Sequence, residues 1–377
     1  MYKQILFSLA IAGCAALGMT SCKGGSENNG SNNDSTTVAQ PDLKGDEQLN
    51  KALRFYAGIS KEGIELSEAD VKAWEQYSAN MKRLVDTTAK TRQQMDSIAA
   101  TDFKDFRDST DYVFYPFSAA DFIYANTLFP DADTYFLCGL EKTGTPIGSD
   151  LKKSYSHYEA YCKALSIFFR RTYFVTKDMK FELDNEELDG VCPVITMLMA
   201  VSGREVISVE KGAFDAEGNI VTGGEANDEV LRIKFFKPGS KHEQTLIYVS
   251  GDIADGRSNP NLKKYLDKTL PQHYVSTFLK AASFLMTQDN FTDIRNYITT
   301  YSRNIIQDDS GVPYRYLTDK FTTTLYGAYV RPLAVFSDAC VQPDLAQQYK
   351  DRAAEVHALP FSIGYSTPSS WVVARRK

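Results

Sequence analysis

The 377-residue chain has 42 Lys and Arg against 48 Asp and Glu, a net charge of −6, with 43% hydrophobic and 12% aromatic residues. This mild acidity argues against nucleic acid as a partner, and the apolar content suffices for one large or two small packed domains. Beyond the first 21 residues no stretch approaches about eighteen uninterrupted apolar residues, so no later segment reads as a membrane span.

The chain begins with Lys3 as a positive n-region, an apolar run from Ile5 to Met19, and small Thr20 and Ser21 before Cys22. The run is short and rich in small residues, which reads as a signal peptide over 1–21. Lys23 to Gln40 is Gly/Ser/Asn/Thr-rich, as a flexible tether over 22–45 should be. The pattern resembles Gram-negative lipoproteins, which implies lipidation (palmitate among the acyl chains) at Cys22. Acyl chains bind through buried methylenes at about 0.8 kcal/mol each, so several on one residue anchor firmly. In such lipoproteins an Asp after the lipidated cysteine favours the inner membrane. Lys23 stands there, so the resemblance implies the outer membrane, in the cell envelope, with no preference between its two faces. Removing 1–21 takes away one lysine and no acid, leaving −7.

Residues 46–377 read as one globular domain. Ser67 with Asp70 marks a helix start. Val71, Trp74, Ser78, Met81, Val85, Thr88, Arg92 and Met95 then recur every three or four residues, predicting one face of a helix of about 30 residues. Tyr112–Phe117 reads as a strand, Asp121–Phe129 as a short helix stopped by Pro130, and Thr134–Leu140 as a buried strand. A second long helix is expected over about Asp150–Val175. Val191–Val201, apolar all round, reads as a core helix. Arg204–Ala213, Gly218–Val221, Leu231–Phe236 and Gln244–Val249 predict a β-meander, its last strand covered on both faces. Helices are expected over Leu262–Met286, kinked at Pro271, and over Asn290–Tyr301. From Asp308 on the chain reads as mostly irregular. The expected class is α+β: long helices packed on a small antiparallel sheet, a meander, in a single domain.

Four cysteines remain after Cys14 and Cys22 are set aside: Cys138, Cys162, Cys192 and Cys340. An oxidising envelope permits disulfides, and their apolar contexts equally suit buried thiols. No pair has metal-ligand spacing, so no zinc site and no cofactor is expected. The histidines His157, His242, His273 and His357 are scattered, and no nucleophile elbow, phosphate-binding loop or His-Glu-x-x-His occurs.

Two stretches combine carboxylates with aromatics. Tyr115-Pro116-Phe117-Ser118-Ala119-Ala120-Asp121 continues to Asp131 and Asp133, which could share a hard cation or cap turns. Ile305–Tyr316 contains adjacent Asp308 and Asp309, with Arg315 as the obvious bidentate partner and Tyr314 and Tyr316 as walls. If these stretches meet, they form a carboxylate-bearing aromatic cleft suited to polar ligands such as glycans, or to acid/base hydrolysis.

Tyr115–Asp121, Pro130–Glu141, Ile305–Tyr316 and Leu359–Tyr365 together resemble segments of a family of uncharacterised bacterial envelope proteins. In that family a Gly-Pro pair stands where this chain has Ala119-Ala120. The resemblance implies a single domain over most of 110–370 and brings no activity. The leading expectation is a non-catalytic ligand-binding or envelope-assembly protein. It would be membrane-anchored through its lipid, with a glycan or another envelope protein as partner. The alternative is a carboxylate-dependent hydrolase using Asp121, Asp131, Asp133, Asp308 or Asp309.

Overall fold

A computed structural model describes residues 42–148, 155–171, 173, 188–223 and 229–377. All lie in one compact unit, residues 41–377. The expected signal peptide, Cys22, most of the tether, and the expected start of the second long helix near Asp150 lie outside the described residues.

The strands are β1 (Tyr112–Tyr115), β2 (Thr134–Gly139), β3 (Glu205–Phe214), β4 (Ile220–Thr222), β5 (Val230–Phe236), β6 (Glu243–Ser250), β7 (Val275–Leu279), β8 (Asn304–Gln307), β9 (Phe321–Gly327) and β10 (Ser370–Arg376). They form a single ten-stranded sheet in the order β4-β3-β5-β6-β2-β1-β7-β8-β10-β9. The central five, β6-β2-β1-β7-β8, are mutually parallel. Antiparallel strands flank them: the β3-β4-β5 meander on one side and β9-β10 on the other. The expected small antiparallel sheet is therefore wrong. The meander exists, but as one wing of a large mixed sheet.

Both faces of the sheet are covered, and side chains sort by the two-residue period of a strand. Val113 and Tyr115 of β1, Tyr135 and Leu137 of β2, Leu246 and Tyr248 of β6, and Phe278 of β7 point into one core. Tyr112, Phe114, Phe136, Cys138, Ile247, Val249, Val275 and Leu279 point into the other. The first core is roofed by five helices: α1 (Glu47–Tyr56), α2 (Glu68–Thr101), α4 (Phe122–Leu128), α5 (Tyr155–Arg171) and α6 (Cys192–Val201). A short turn of helix, α3 (Lys104–Arg107), leads into β1. The second core is roofed by α7 (Pro260–Thr269) and α8 (Thr292–Tyr301), with α9 (Pro343–Asp351) adding Leu345. Parallel strands need such crossovers, and covered faces explain why their sequences run apolar without alternation.

Helix α2 runs 34 residues from an N-cap at Ser67, whose hydroxyl accepts from the Asp70 amide. Its buried positions include Trp74, Met81, Thr88 and Met95, on the face set by their spacing. Helix α6 has Cys192 to Met199 fully buried.

Two further expectations fail. The helix read over Leu262–Met286 ends at Thr269, and a 3-10 turn at Leu270–Gln272 leads into β7. The tail after Asp308, read as irregular, contains β9, α9 and β10, and β10 lies inside the sheet with Trp371 to Ala374 buried. Cys138, Cys162, Cys192 and Cys340 are free thiols, and burial raises the pKa of the first three. Among the described residues no helix is long and apolar enough to cross a membrane.

Candidate functional site

From β1 the chain runs outward through β2 to β6 on one side, then returns to β7 and β8 on the other, so the parallel strands lie 3-2-1-4-5 in chain order. In a doubly wound sheet this reversal opens a crevice past the carboxyl ends of the two strands at the switch, here β1 and β7. A cavity of ≈ 730 Å³ lies there. Its walls come from the segments following four parallel strands: Pro116–Ala119 after β1, Leu140–Glu141 after β2, Gly251–Ile253 after β6 and Lys280–Ser283 after β7. The size is that of a small-molecule site.

The backbone around it is strained. Among the described residues five non-glycine positions have positive φ: Ala119, Asp189, Ala281, Ser283 and Phe284. Four of the five belong to the segments after β1 and β7, and three of those line the cavity. L-residues in this region cost about 1–3 kcal/mol each and persist where the surroundings over-determine them, often at ligand sites. Gly139, at the end of β2, has no room for a side chain. A Cβ there would overlap Glu141 Oε2 and lie 2.8 Å from Tyr248 Oη and 3.0 Å from Ala119 Cα.

A buried charge cluster lies behind the wall at Lys280. Lys280 Nζ pairs with Asp121 Oδ2 at 2.9 Å, both side chains 1% exposed. The ammonium also lies over the Tyr124 ring at 4.8 Å and the Phe168 ring at 5.5 Å. Asp121 is the N-cap of α4, accepting from the Tyr124 amide at 3.3 Å and from Tyr115 Oη at 2.9 Å. Asp308, after β8, accepts from the Ala281 amide at 2.9 Å and from the amide of Ser310 at 2.9 Å and its hydroxyl at 2.5 Å. Burial lowers the Lys280 pKa, opposed by Asp121 and Asp308. Burial raises that of Asp308, against its hydrogen bonds and Lys280. Asp309 is pushed up to about 8, first by burial and then by the charge of Asp308.

The two carboxylate-bearing stretches thus meet through a residue the sequence reading did not select. Asp121 and Asp308 both act on Lys280, which also lines the cavity. The other candidates lie elsewhere. Asp131 and Asp133 are exposed at the amino end of β2, the far end of the strand, where Asp133 Oδ1 pairs with His242 Nε2 at 2.6 Å. Arg315 does not bridge Asp308 or Asp309; its guanidinium packs on the Tyr316 ring at 4.8 Å, beside Arg295 at 4.4 Å. Tyr316 is exposed, while Tyr314 is buried with its hydroxyl 2.9 Å from Thr323 Oγ1. Among the described residues no group of three His, Cys, Asp or Glu could hold a metal ion.

Six aromatic residues, Tyr115, Phe117, Tyr173, Phe291, Phe336 and Tyr365, line the cavity, and its rim is apolar. Phe117 and Phe291 approach to 6.1 Å between centroids, and Tyr365 contacts Phe336 at 4.9 Å. Three of the six exposed large hydrophobic side chains among the described residues, Leu140, Leu333 and Val335, line it, Val335 at 82% exposure. Apolar side chains gathered around a cavity mark a binding surface better than singly scattered ones. Sequence reasoning missed Lys280, Glu141 and this rim. A lysine in an apolar run (Phe278-Leu279-Lys280-Ala281-Ala282) was the available clue, since a fully buried lysine needs a partner.

Comparison of the chain with protein-family models, with curated proteins and with solved structures finds no match.

Proposed function

We propose that this is a lipid-anchored cell-envelope protein whose globular domain binds a small ligand in the cavity between β1 and β7. The observation that carries this reading is the coincidence of three features at one place. The cavity sits at the topological switch of the sheet, its walls hold three left-handed non-glycine residues, and one of its lining residues, Lys280, is paired with the buried Asp121 behind it. Nothing in packing alone calls for these costs to gather on one edge of the sheet. The envelope address rests on the Lys3–Cys22 signal and the polar stretch after it.

The hydrolase alternative is the weaker reading. None of Asp121, Asp131, Asp133, Asp308 and Asp309 lines the cavity. Asp121 and Asp308 are taken up by Lys280, Tyr115, Ser310 and backbone amides, which makes them scaffold for the loops.

The test is a thermal-shift screen of the whole protein against a library of small aromatic and polar compounds, repeated on Gly251→Trp. A Cβ at Gly251 meets nothing within 4 Å, and the residue lines the cavity, so the indole fills space without displacing the fold. Compounds that raise the melting temperature of the wild type and not of Gly251→Trp support the proposal. Hits unaffected by the substitution, or none at all, overturn it. For the anchor, incorporation of a clickable palmitate analogue that is lost in Cys22→Ser is the expected result.

A further inference from the structure

The cavity's chemistry points to a class of ligand. We infer that it takes a ribonucleoside, its ribose hydroxyls held by Glu141 and its base packed among the aromatic residues of the wall, with no part for a phosphate chain. This inference rests on the binding role proposed above and deepens it.

Glu141 carries the first half. In doubly wound sheets that bind nucleotides, an acidic side chain past the second strand, about twenty residues after the turn that follows the first, accepts from the ribose hydroxyls. Glu141 stands two residues past the end of β2 and twenty-two after Ala119, in the turn following β1. It is buried yet lines the cavity. Tyr248 Oη sits 3.3 Å from its Oε2 and donates to its backbone oxygen at 2.8 Å, fixing the residue from the β6 side. The absence of a side chain at Gly139 lets the carboxylate lie against the strand end.

The turn after β1 carries the second half. A phosphate-binding turn aims its backbone N–H groups at the ligand. Here the Ser118 and Ala119 amides both donate to the Cys138 carbonyl, at 3.1 and 3.0 Å, and the Cys138 amide donates back to Ser118 Oγ at 3.0 Å. The turn is stitched to β2, and these two amide donors are spent on it. Of the two cationic side chains on the wall, Lys280 is buried against Asp121, while Arg257, 62% exposed, pairs with Asp252 at 3.1 Å. A dinucleotide or triphosphate would find no such cradle, whereas a nucleoside needs only the carboxylate and a stacking wall, which Phe117, Phe291 and Tyr365 supply.

The experiment titrates the full chain calorimetrically with adenosine, guanosine, cytidine and uridine, and with the 2′-deoxy and 5′-triphosphate forms of whichever binds. One ribonucleoside should bind wild type. Its affinity should fall roughly tenfold or more in the 2′-deoxy form and in Glu141→Gln, as for loss of a hydrogen bond to a charged acceptor. The triphosphate should bind no more tightly than the nucleoside, and Gly251→Trp should bind neither. Equal binding by Glu141→Gln or by the deoxy form overturns the ribose assignment. Tighter binding of the triphosphate overturns the reading of the turn. If no ribonucleoside binds while other compounds bind wild type and not Gly251→Trp, the nucleoside inference fails and the ligand-binding proposal stands. If nothing binds, both fail.

Discussion

The two ends of the parallel sheet use the same residue type in opposite ways. At the carboxyl end Asp121 and Asp308 are buried, saturated with hydrogen bonds and placed within the influence of one buried lysine. At the amino end Asp133 meets His242 in the open, with side chains 59% and 39% exposed. A buried pair demands a partner for every charge, because an orphaned charge there costs far more than the pair contributes. An exposed pair gains little and loses little. The carboxyl end is therefore where the fold accepts cost, in desolvated charge and left-handed backbone, and it is where the cavity lies.

The sharpest way to break this contrast is to remove one member of the buried pair. Lys280→Met should lower unfolding free energy by about 3–5 kcal/mol in urea denaturation, the usual cost of stranding a buried charge. Adding Asp121→Asn to it should recover much of the loss. A change below about 1 kcal/mol in the single variant would mean that the pair is not buried as described.

The second prediction uses pH. Burial and the neighbouring Asp308 push Asp309 up to about 8 in the folded chain, against about 3.9 for a free side chain. With the folded pKa raised, the folded state holds the proton more tightly. Its contribution is complete below about pH 4 and is lost as pH rises towards 8. Asp309→Asn should therefore flatten the decline in stability between about pH 5 and 8, measured by denaturation at fixed pH values. A slope identical to wild type would place the Asp309 carboxyl in water.

The smallest effect is expected at the amino end. His242→Ala should change stability by less than about 1 kcal/mol at neutral pH, and 0.5 M salt should erase most of any difference. A larger loss would make the two ends alike and remove the contrast.

Much of this arrangement was legible as pieces and not as a whole. The helical repeat from Val71 to Met95 and the cap at Ser67 identified α2, because a long amphipathic helix carries its own period. Strand β7 was not legible. Val275-Ser276-Thr277-Phe278-Leu279 is buried at all five positions, so it has no alternation to read. Its two polar residues are satisfied by distant partners, Thr110 at 2.7 Å and Ser302 at 2.6 Å. Without β7 nothing joins β1 to β8, and the parallel pairing of β1, β2 and β6, strands far apart in sequence, carries no local turn signal, which is why the sheet was expected to be small. The site was half legible for the same reason. Asp121 and Asp308 stand out beside aromatics and apolar runs, but the element between them in space is β7, and the residue joining them is Lys280 at its end. Arg315 drew attention as a bidentate partner for Asp308 and Asp309 in the same stretch, yet the turn at Tyr314–Tyr316 carries it to the surface.

The central claim is that the cavity between β1 and β7 is a ligand site, and a crystallographic screen of small-molecule fragments soaked into the protein tests it most directly. The account predicts fragments clustering between the Pro116–Ala119 and Lys280–Ser283 segments, with polar groups near Glu141 and rings against Phe117 and Phe291, in preference to the smaller cavities of about 300 and 440 Å³ elsewhere on the molecule. Fragments spread over the surface with this cavity left unfilled would contradict it.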